Sequence, residues 1–345
     1  MINIQKRRLP AEWERQSFIQ FTLPHKNSGW ANNYEKVVVC FVHIIEKVAQ
    51  FEPVVVGCEN ISNIQSLFSN HTKFPIHFVE VASNDSWIRD HGPITILEDD
   101  QPILLDFTFN GWGNKFESAL DNRITLKLSK TLFKTFTIIS KKFILEGGSI
   151  ESDGKGVLLT TTRCLLSNNR NSNMTQSQIE HFLKKELGLK KILWLNHGAL
   201  IGDDTDAHID TLARFCSVNT IAYMKCEDSE DIHFDTLKRM EDELMNFKDL
   251  SGNKYKLVAL PMPDPCYDQK MNRLPATYAN FLFVNDGVLV PTYGVRQDRE
   301  ALSNLQHIFP ERTVIGVDCH PLIQQNGSLH CISMQYPSAV KLMIK

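Results

Sequence analysis

Ala279-Asn280-Phe281-Leu282-Phe283-Val284-Asn285-Asp286-Gly287-Val288-Leu289-Val290-Pro291 carries the strongest local structural signal in the chain. Two β-prone runs flank a reversal carrying Asn, Asp and Gly, residue types that accept the backbone angles a tight antiparallel hairpin demands. Working outward, the same rhythm recurs twice upstream. Gly92-Pro93-Ile94-Thr95-Ile96-Leu97 turns through Glu98-Asp99-Asp100 into Ile103-Leu104-Leu105. Gly148-Ser149-Ile150 turns through Asp153-Gly154 into Val157-Leu158-Leu159-Thr160. Residues 177–187 and 230–245 carry apolar side chains three to four apart, as helices do, and each leads into a β-like run, 192–195 and 255–260. The chain thus cycles through helix, strand and hairpin roughly every 60 to 70 residues, the signature of a radial array of like units. An ordinary α+β domain with similar hairpins is the alternative that pattern alone leaves open. The polar run Ser167-Asn168-Asn169-Arg170-Asn171-Ser172-Asn173 is too short for a domain linker and reads as a surface loop before the next helix.

Composition narrows the classes of partner. With 37 basic and 40 acidic side chains the net charge is only -3, so no global field favours nucleic acid or an anionic membrane, and a small molecule is the expected partner. Uncharged apolar runs stop well short of the roughly 20 residues a membrane-spanning helix needs, and the basic start of the chain runs into Leu9-Pro10-Ala11-Glu12 with no export signal visible. A cytoplasmic location is expected. None of the eight cysteines stands in a C-x-x-C pair, so they read as thiols, and no set of His and Cys has zinc-ligand spacing. Neither a metal nor a cofactor is expected.

Three segments hold side chains suited to catalysis. Asp85-Ser86-Trp87-Ile88-Arg89-Asp90-His91-Gly92-Pro93 places carboxylates, an arginine and a tryptophan at the head of a hairpin, where ligand sites often form; a core-capping Trp and a paired Arg are the plain alternative. His208 and Asp210, one residue apart, project from one face if the segment is extended, behind the acidic loop Asp203-Asp204-Thr205-Asp206. Such a pair is often only structural, and such a loop only solvated. Cys331 follows the polar turn Asn326-Gly327-Ser328, which can turn its sulfur toward a cleft, whereas Cys164, Cys216 and Cys226 read as inert core residues. His330 adjoins Cys331, but neighbours on a strand face opposite ways, so the two are not paired.

Together these segments resemble the agmatine deiminase family and its relative, the Porphyromonas-type peptidylarginine deiminases. The resemblance runs from Pro10-Ala11-Glu12-Trp13-Glu14 and Pro24-His25 through 85–93, Leu145-Glu146-Gly147-Gly148-Ser149-Ile150 and the loop before His208 to Gly327-Ser328-Leu329-His330-Cys331-Ile332. It implies a fivefold pseudosymmetric α/β propeller of the guanidine-modifying (pentein) type, a single catalytic domain over 1–345 with its site on the central axis. Homo-oligomers are usual in the family. By matched motif it implies Cys331 as nucleophile, His208 as general acid and base, Asp90 and Asp210 as guanidinium-binding carboxylates, Glu146 as a further acid, and Trp87 and Asp204 as substrate contacts. Three departures stand out: Ala207 where glycine is common, His91 where a small or polar residue is frequent, and a single Gly327 after Gln324-Gln325-Asn326 in place of a glycine run. They put the shape of the pocket mouth in question, not the chemistry.

These residue types suit a planar, delocalised cation that is a poor electrophile. Two carboxylates hold it through paired N–H bonds, a thiolate attacks its central carbon, and a histidine protonates the departing nitrogen and then activates water. The expected reaction is hydrolysis of agmatine to N-carbamoylputrescine and ammonia through an amidino-cysteine, a step toward polyamines. Free arginine or peptidyl-arginine as substrate is the alternative, and a non-catalytic amine-binding propeller the other.

Overall fold

The computed structural model describes residues 7–69 and 71–342; residues 1–6, whose basic character entered the expectation of no export signal, lie outside them. Among the described residues five small sheets form, one for each unit of the expected array. In four of them a short antiparallel hairpin is followed by a crossover and a third strand parallel to the hairpin's second. Ile94–Glu98 and Gln101–Thr108 are joined by Thr137–Ile144, with Arg7–Arg8 added at the outer edge. Ile150–Ser152 and Val157–Thr161 are joined by Lys191–Leu195, Ala213–Ser217 and Thr220–Lys225 by Lys256–Pro261, and Leu282–Val284 and Gly287–Thr292 by Thr313–Asp318. The remaining sheet is assembled from both ends of the chain: Ser333–Pro337 runs antiparallel to Gln16–Thr22, which continues in parallel to Val54–Cys58 and Ile76–Glu80. This is the fivefold pseudosymmetric α/β propeller.

The central strands are apolar throughout because both of their faces are covered. Val54–Cys58 and Leu282–Val284 are buried at every position, and each large apolar side chain so enclosed contributes on the order of 1.5–3 kcal/mol. The hairpin 279–291 forms, with two adjustments. Its first strand starts at Leu282, since residues 278–280 form a 3-10 turn. The left-handed turn residue is Asp286 (φ 61°), while Gly287 already pairs with Val284; a Cβ on Gly287 would lie 2.7 Å from the Phe51 ring, so close packing accounts for that glycine. In the first hairpin Asp99 and Asp100 both take positive φ, 48° and 62°, the mirror-image turn that matches strand twist.

The helix expected over 177–187 runs Gln176–Leu187, opened by a capping box between Thr175 and Gln178 and buried through Ile179, Leu183 and Leu187. The one expected over 230–245 is shorter, Phe234–Leu244, because the carboxylates of Asp228 and Asp231 accept from the backbone N–H groups of Glu230 and His233 and hold the preceding residues in turns. The first of these helices ends on Gly188 at φ 69°, where an added Cβ would lie 2.1 Å from the Arg7 carbonyl oxygen. Gly188→Ala is therefore expected to lower the unfolding free energy by at least about 1–2 kcal/mol, read as a lower urea midpoint at an unchanged slope.

Candidate active site

Each hairpin, and the strand Ser333–Pro337, is preceded by a tight turn, and the five turns meet around the axis. They are Ile88–His91, Gly147–Ser149, Ile209–Thr211, Tyr278–Asn280 and residues 329–332. Gly148 N–H donates to Asp90 Oδ1 (2.9 Å), Asn280 Nδ2 to the Asp210 carbonyl (3.3 Å), His330 N–H to Asn280 Oδ1 (2.9 Å), and Arg89 N–H to the Cys331 carbonyl (3.2 Å). The circle closes where Gly148 lies against His208 and Asp210: a Cβ there would sit 2.6 Å from His208 Nδ1 and 3.1 Å from Asp210 Oδ2. Four of the turns thus bring a polar side chain, Asp90, Asp210, Asn280 and Cys331, to one small volume, and the turn Gly147–Ser149 brings the Gly148 backbone.

Asp90, Asp210 and Cys331 line one cavity together with Trp87, Trp112, Asp204 and Asn326. Asp90 Oδ2 accepts from Trp112 Nε1 at 2.9 Å. Burial, and then the nearby Asp210 charge, push the Asp90 carboxyl well above the usual carboxylate range. Asp210 is also fully enclosed, yet His330, donating from Nδ1 to Oδ2 at 2.8 Å, holds it below that range against the effect of burial; Oδ1 has no partner. Cys331 Sγ lies 3.4 Å from Asn280 Oδ1 and 3.8 Å from Asp210 Oδ2. Burial and the two aspartates drive its thiol well above its ordinary pKa.

His208 is buried behind the carboxylates. Its Nδ1 is 3.7 Å from Asp90 Oδ1, beyond hydrogen-bond length, and Nε2 has no partner. Burial pushes its pKa down to about 3, so the imidazole is neutral. Glu146 accepts Arg170 Nε on both oxygens, at 2.8 and 3.0 Å, and Arg170 also donates to Asp206 Oδ2 at 2.7 Å. Asp204 Oδ2 accepts from Asn326 at 3.1 Å, and burial raises its carboxyl to about 6. Trp87 packs beside Trp30, with Gly327 against its ring.

Several positions differ from the sequence reading. The run 167–173 is not a plain surface loop, for Arg170 is buried and tethers Glu146 to Asp206 while Asn171 caps the Ile144 backbone. Cys164 is buried but not remote: its Sγ, a Glu146 oxygen and a His208 nitrogen lie within 4.8 Å of one another, and these alone among the described residues converge as metal ligands could. Glu146 is already taken up by Arg170, which leaves that set without a free anionic donor. Of the three departures only residues 325–327 reach the cavity. His91 is enclosed against Phe109, and Ala207 takes φ 64°, a conformation glycine adopts more readily. Trp112 and Asn280 carried no signal that single-sequence reading could use, since their roles arise from contacts 22 and 51 residues away.

Residues 8–337 match the model of the Porphyromonas-type peptidyl-arginine deiminase family. The agmatine deiminase of Pseudomonas aeruginosa (strain LESB58) is 30% identical over 358 residues, with 97% of this chain and 96% of that protein covered. A cysteine-to-serine form of the C. jejuni agmatine deiminase with substrate bound superposes with a TM-score of 0.92 at 40% identity, covering 97% of this chain and 98% of that one. The Enterococcus faecalis agmatine deiminase does so with a TM-score of 0.89 at 28% identity, covering 96% of each. With the match to its model spanning nearly every residue and the turn-borne acids, histidine and cysteine gathered on one axis, the chain belongs to the Porphyromonas-type peptidyl-arginine deiminase family.

Proposed function

We propose that this protein hydrolyses agmatine to N-carbamoylputrescine and ammonia, acting through residues 1–345 as one catalytic domain. One observation carries the choice of substrate. Among the described residues, the cavity that holds Cys331 is lined by Asp85, Asp90, Asp204 and Asp210 and by no Lys, Arg or His. A guanidinium at one end and an ammonium at the other both find acids there, while the carboxylate of free arginine meets no cation. Lys115, at the rim, donates to the Asp204 carbonyl (2.6 Å) and to Asp206 (2.9 Å). That relatives along the whole chain are agmatine deiminases supports the reading, and thiols at all eight cysteines fit a reducing, cytoplasmic setting.

In this reading the guanidinium lies between Asp90 and Asp210, with the unpartnered Oδ1 of Asp210 receiving one N–H. Its charge offsets the two aspartates that keep the Cys331 thiol protonated. The thiol proton passes to neutral His208 and the thiolate adds to the central carbon. His208 then returns that proton to the departing nitrogen, ammonia leaves, and an amidino-cysteine remains. Water replaces ammonia: His208 takes its proton and hydroxide adds; as the adduct collapses to the ureido product the C–S bond breaks, the departing thiolate takes up the hydroxyl proton, and His208 gives its own proton to the released ammonia. Glu146, joined to Arg170, walls the histidine on its far side, and Trp87 with Asp204 receives the tail.

Ammonia release from agmatine and from arginine, measured side by side, tests this. Agmatine is expected to turn over and arginine not, and Cys331→Ala to lower kcat by at least about 10,000-fold; faster turnover of arginine would overturn the substrate, and activity surviving in the variant would overturn the nucleophile. Gly148→Ala, whose methyl would stand where His208, Asp90 and Asp210 converge, is expected to cost about 100-fold in kcat/KM with the fold retained. Because the Asp204 carboxylate takes up its proton as pH falls through about 6, kcat/KM for agmatine should decline below that pH through a rising KM. In Asp204→Asn that KM-borne limb should vanish.

A further inference from the structure

His330 and Glu12 have no part in the chemistry above, yet they form a largely enclosed polar chain behind the catalytic cavity. The His330 ring is fully buried and spans two carboxylates: Nδ1 to Asp210 Oδ2 at 2.8 Å, and Nε2 to Glu12 Oε1 and Oε2 at 2.9 and 3.0 Å. Glu12 is held in turn by Arg89 Nη1 (3.1 Å), by Gln335 Nε2 (3.0 Å) and by Arg214, which also binds Glu151 at 2.7 Å. A second cavity, which shares no lining residue with the first, abuts Glu12, Arg89 and Gln335, so this chain leads from the catalytic cavity toward a different face.

The protonation of the chain follows from its partners. His330 and Arg214 hold Glu12 well below the usual carboxylate range despite burial, and Asp210 is likewise lowered. Two ionised carboxylates can only accept, so both ring nitrogens donate. Burial, with the Arg214 and Arg89 charges, pushes the His330 pKa below its ordinary value, so the imidazolium that this geometry calls for is held against them by Glu12 and Asp210 alone. A doubly anchored ring of this kind cannot swing, and neither can the carboxylate hydrogen-bonded to it. Of the four oxygens on Asp90 and Asp210, three have protein donors and one, Asp210 Oδ1, has none.

We propose that His330 is a positioning residue: anchored by Glu12 at Nε2, it fixes Asp210 through Nδ1 so that Oδ1 alone is presented to the guanidinium. The inference rests on the reading of the site as a guanidine hydrolase. It makes the segment around Glu12, more than 300 residues distant in sequence, the far anchor of a substrate-binding carboxylate.

Two near-isosteric variants separate the links. The amide nitrogen of Asn can stand where Nδ1 does, keeping the donor to Asp210 and giving up Glu12, which retains Arg89, Arg214 and Gln335. That of Gln can stand where Nε2 does, keeping Glu12 and releasing Asp210. With agmatine and full-length protein, His330→Gln is expected to lose about 10–100-fold in kcat/KM. The loss should fall mainly on kcat, since the tail still binds while the guanidinium is no longer held in line. His330→Asn is expected to recover most of that loss. Equal losses in the two variants, or none in either, would overturn the inference while wild-type turnover left the reading of the site standing. Absence of turnover by wild type with agmatine and arginine alike would remove the reading and the inference with it.

Discussion

Around the axis, hydrogen bonds join four of the five neighbouring pairs of turns, Gly148 to Asp90, Asn280 to Asp210, His330 to Asn280 and Arg89 to Cys331, and close packing of Gly148 on Asp210 joins the fifth. Everything else in the structure is arranged so that this circle can close. Each unit contributes one short turn because a third strand in parallel pairing requires a crossover, and the crossover returns the chain to the start of the next turn at the same level. The sheet made from both chain ends completes the circle, with Ser333–Pro337 paired to Gln16–Thr22.

The cost of that arrangement is electrostatic. Asp90, Glu146, Asp210 and Cys331 are all enclosed, and burial works against the charged form of each. The fold offsets this selectively. Glu146 has Arg170, and Asp210 has His330 backed by Glu12, Arg89 and Arg214. Asp90 has only neutral donors, Trp112 and Gly148, and Cys331 has the carbonyl of Asn280. Asp90 and Cys331, which face the cavity beside Asp210, are left without a cation, so the cavity is short of positive charge where a guanidinium would lie.

How much of this was legible can be judged residue by residue. The hairpins were visible because turn chemistry is local: Asp99-Asp100, Asp153-Gly154 and Asn285-Asp286 mark their own reversals. Cys331, His208, Asp90, Asp210 and Glu146 were found through motif resemblance, and the structure brings all five to the axis. Arg170 was misread because a polar run of Asn and Ser looks solvated, and only its ion pairs to Glu146 and Asp206 reveal it as buried. Adjacency rightly kept His330 from being paired with Cys331, but it gave no hint that both reach the same oxygen of Asp210.

Taken alone, the sequence showed the repeating units through local periodicity and turn chemistry, and through its family motifs it implied a cationic substrate and the side chains expected to react with it, because motifs consist of functional groups carried by single residues. Tertiary structure decided which acid keeps its charge, which oxygen is left free, and that the segment around Glu12 reaches the site at all. Those outcomes depend on burial and on partners tens to hundreds of residues away, and both come into being only when the five units close on one another.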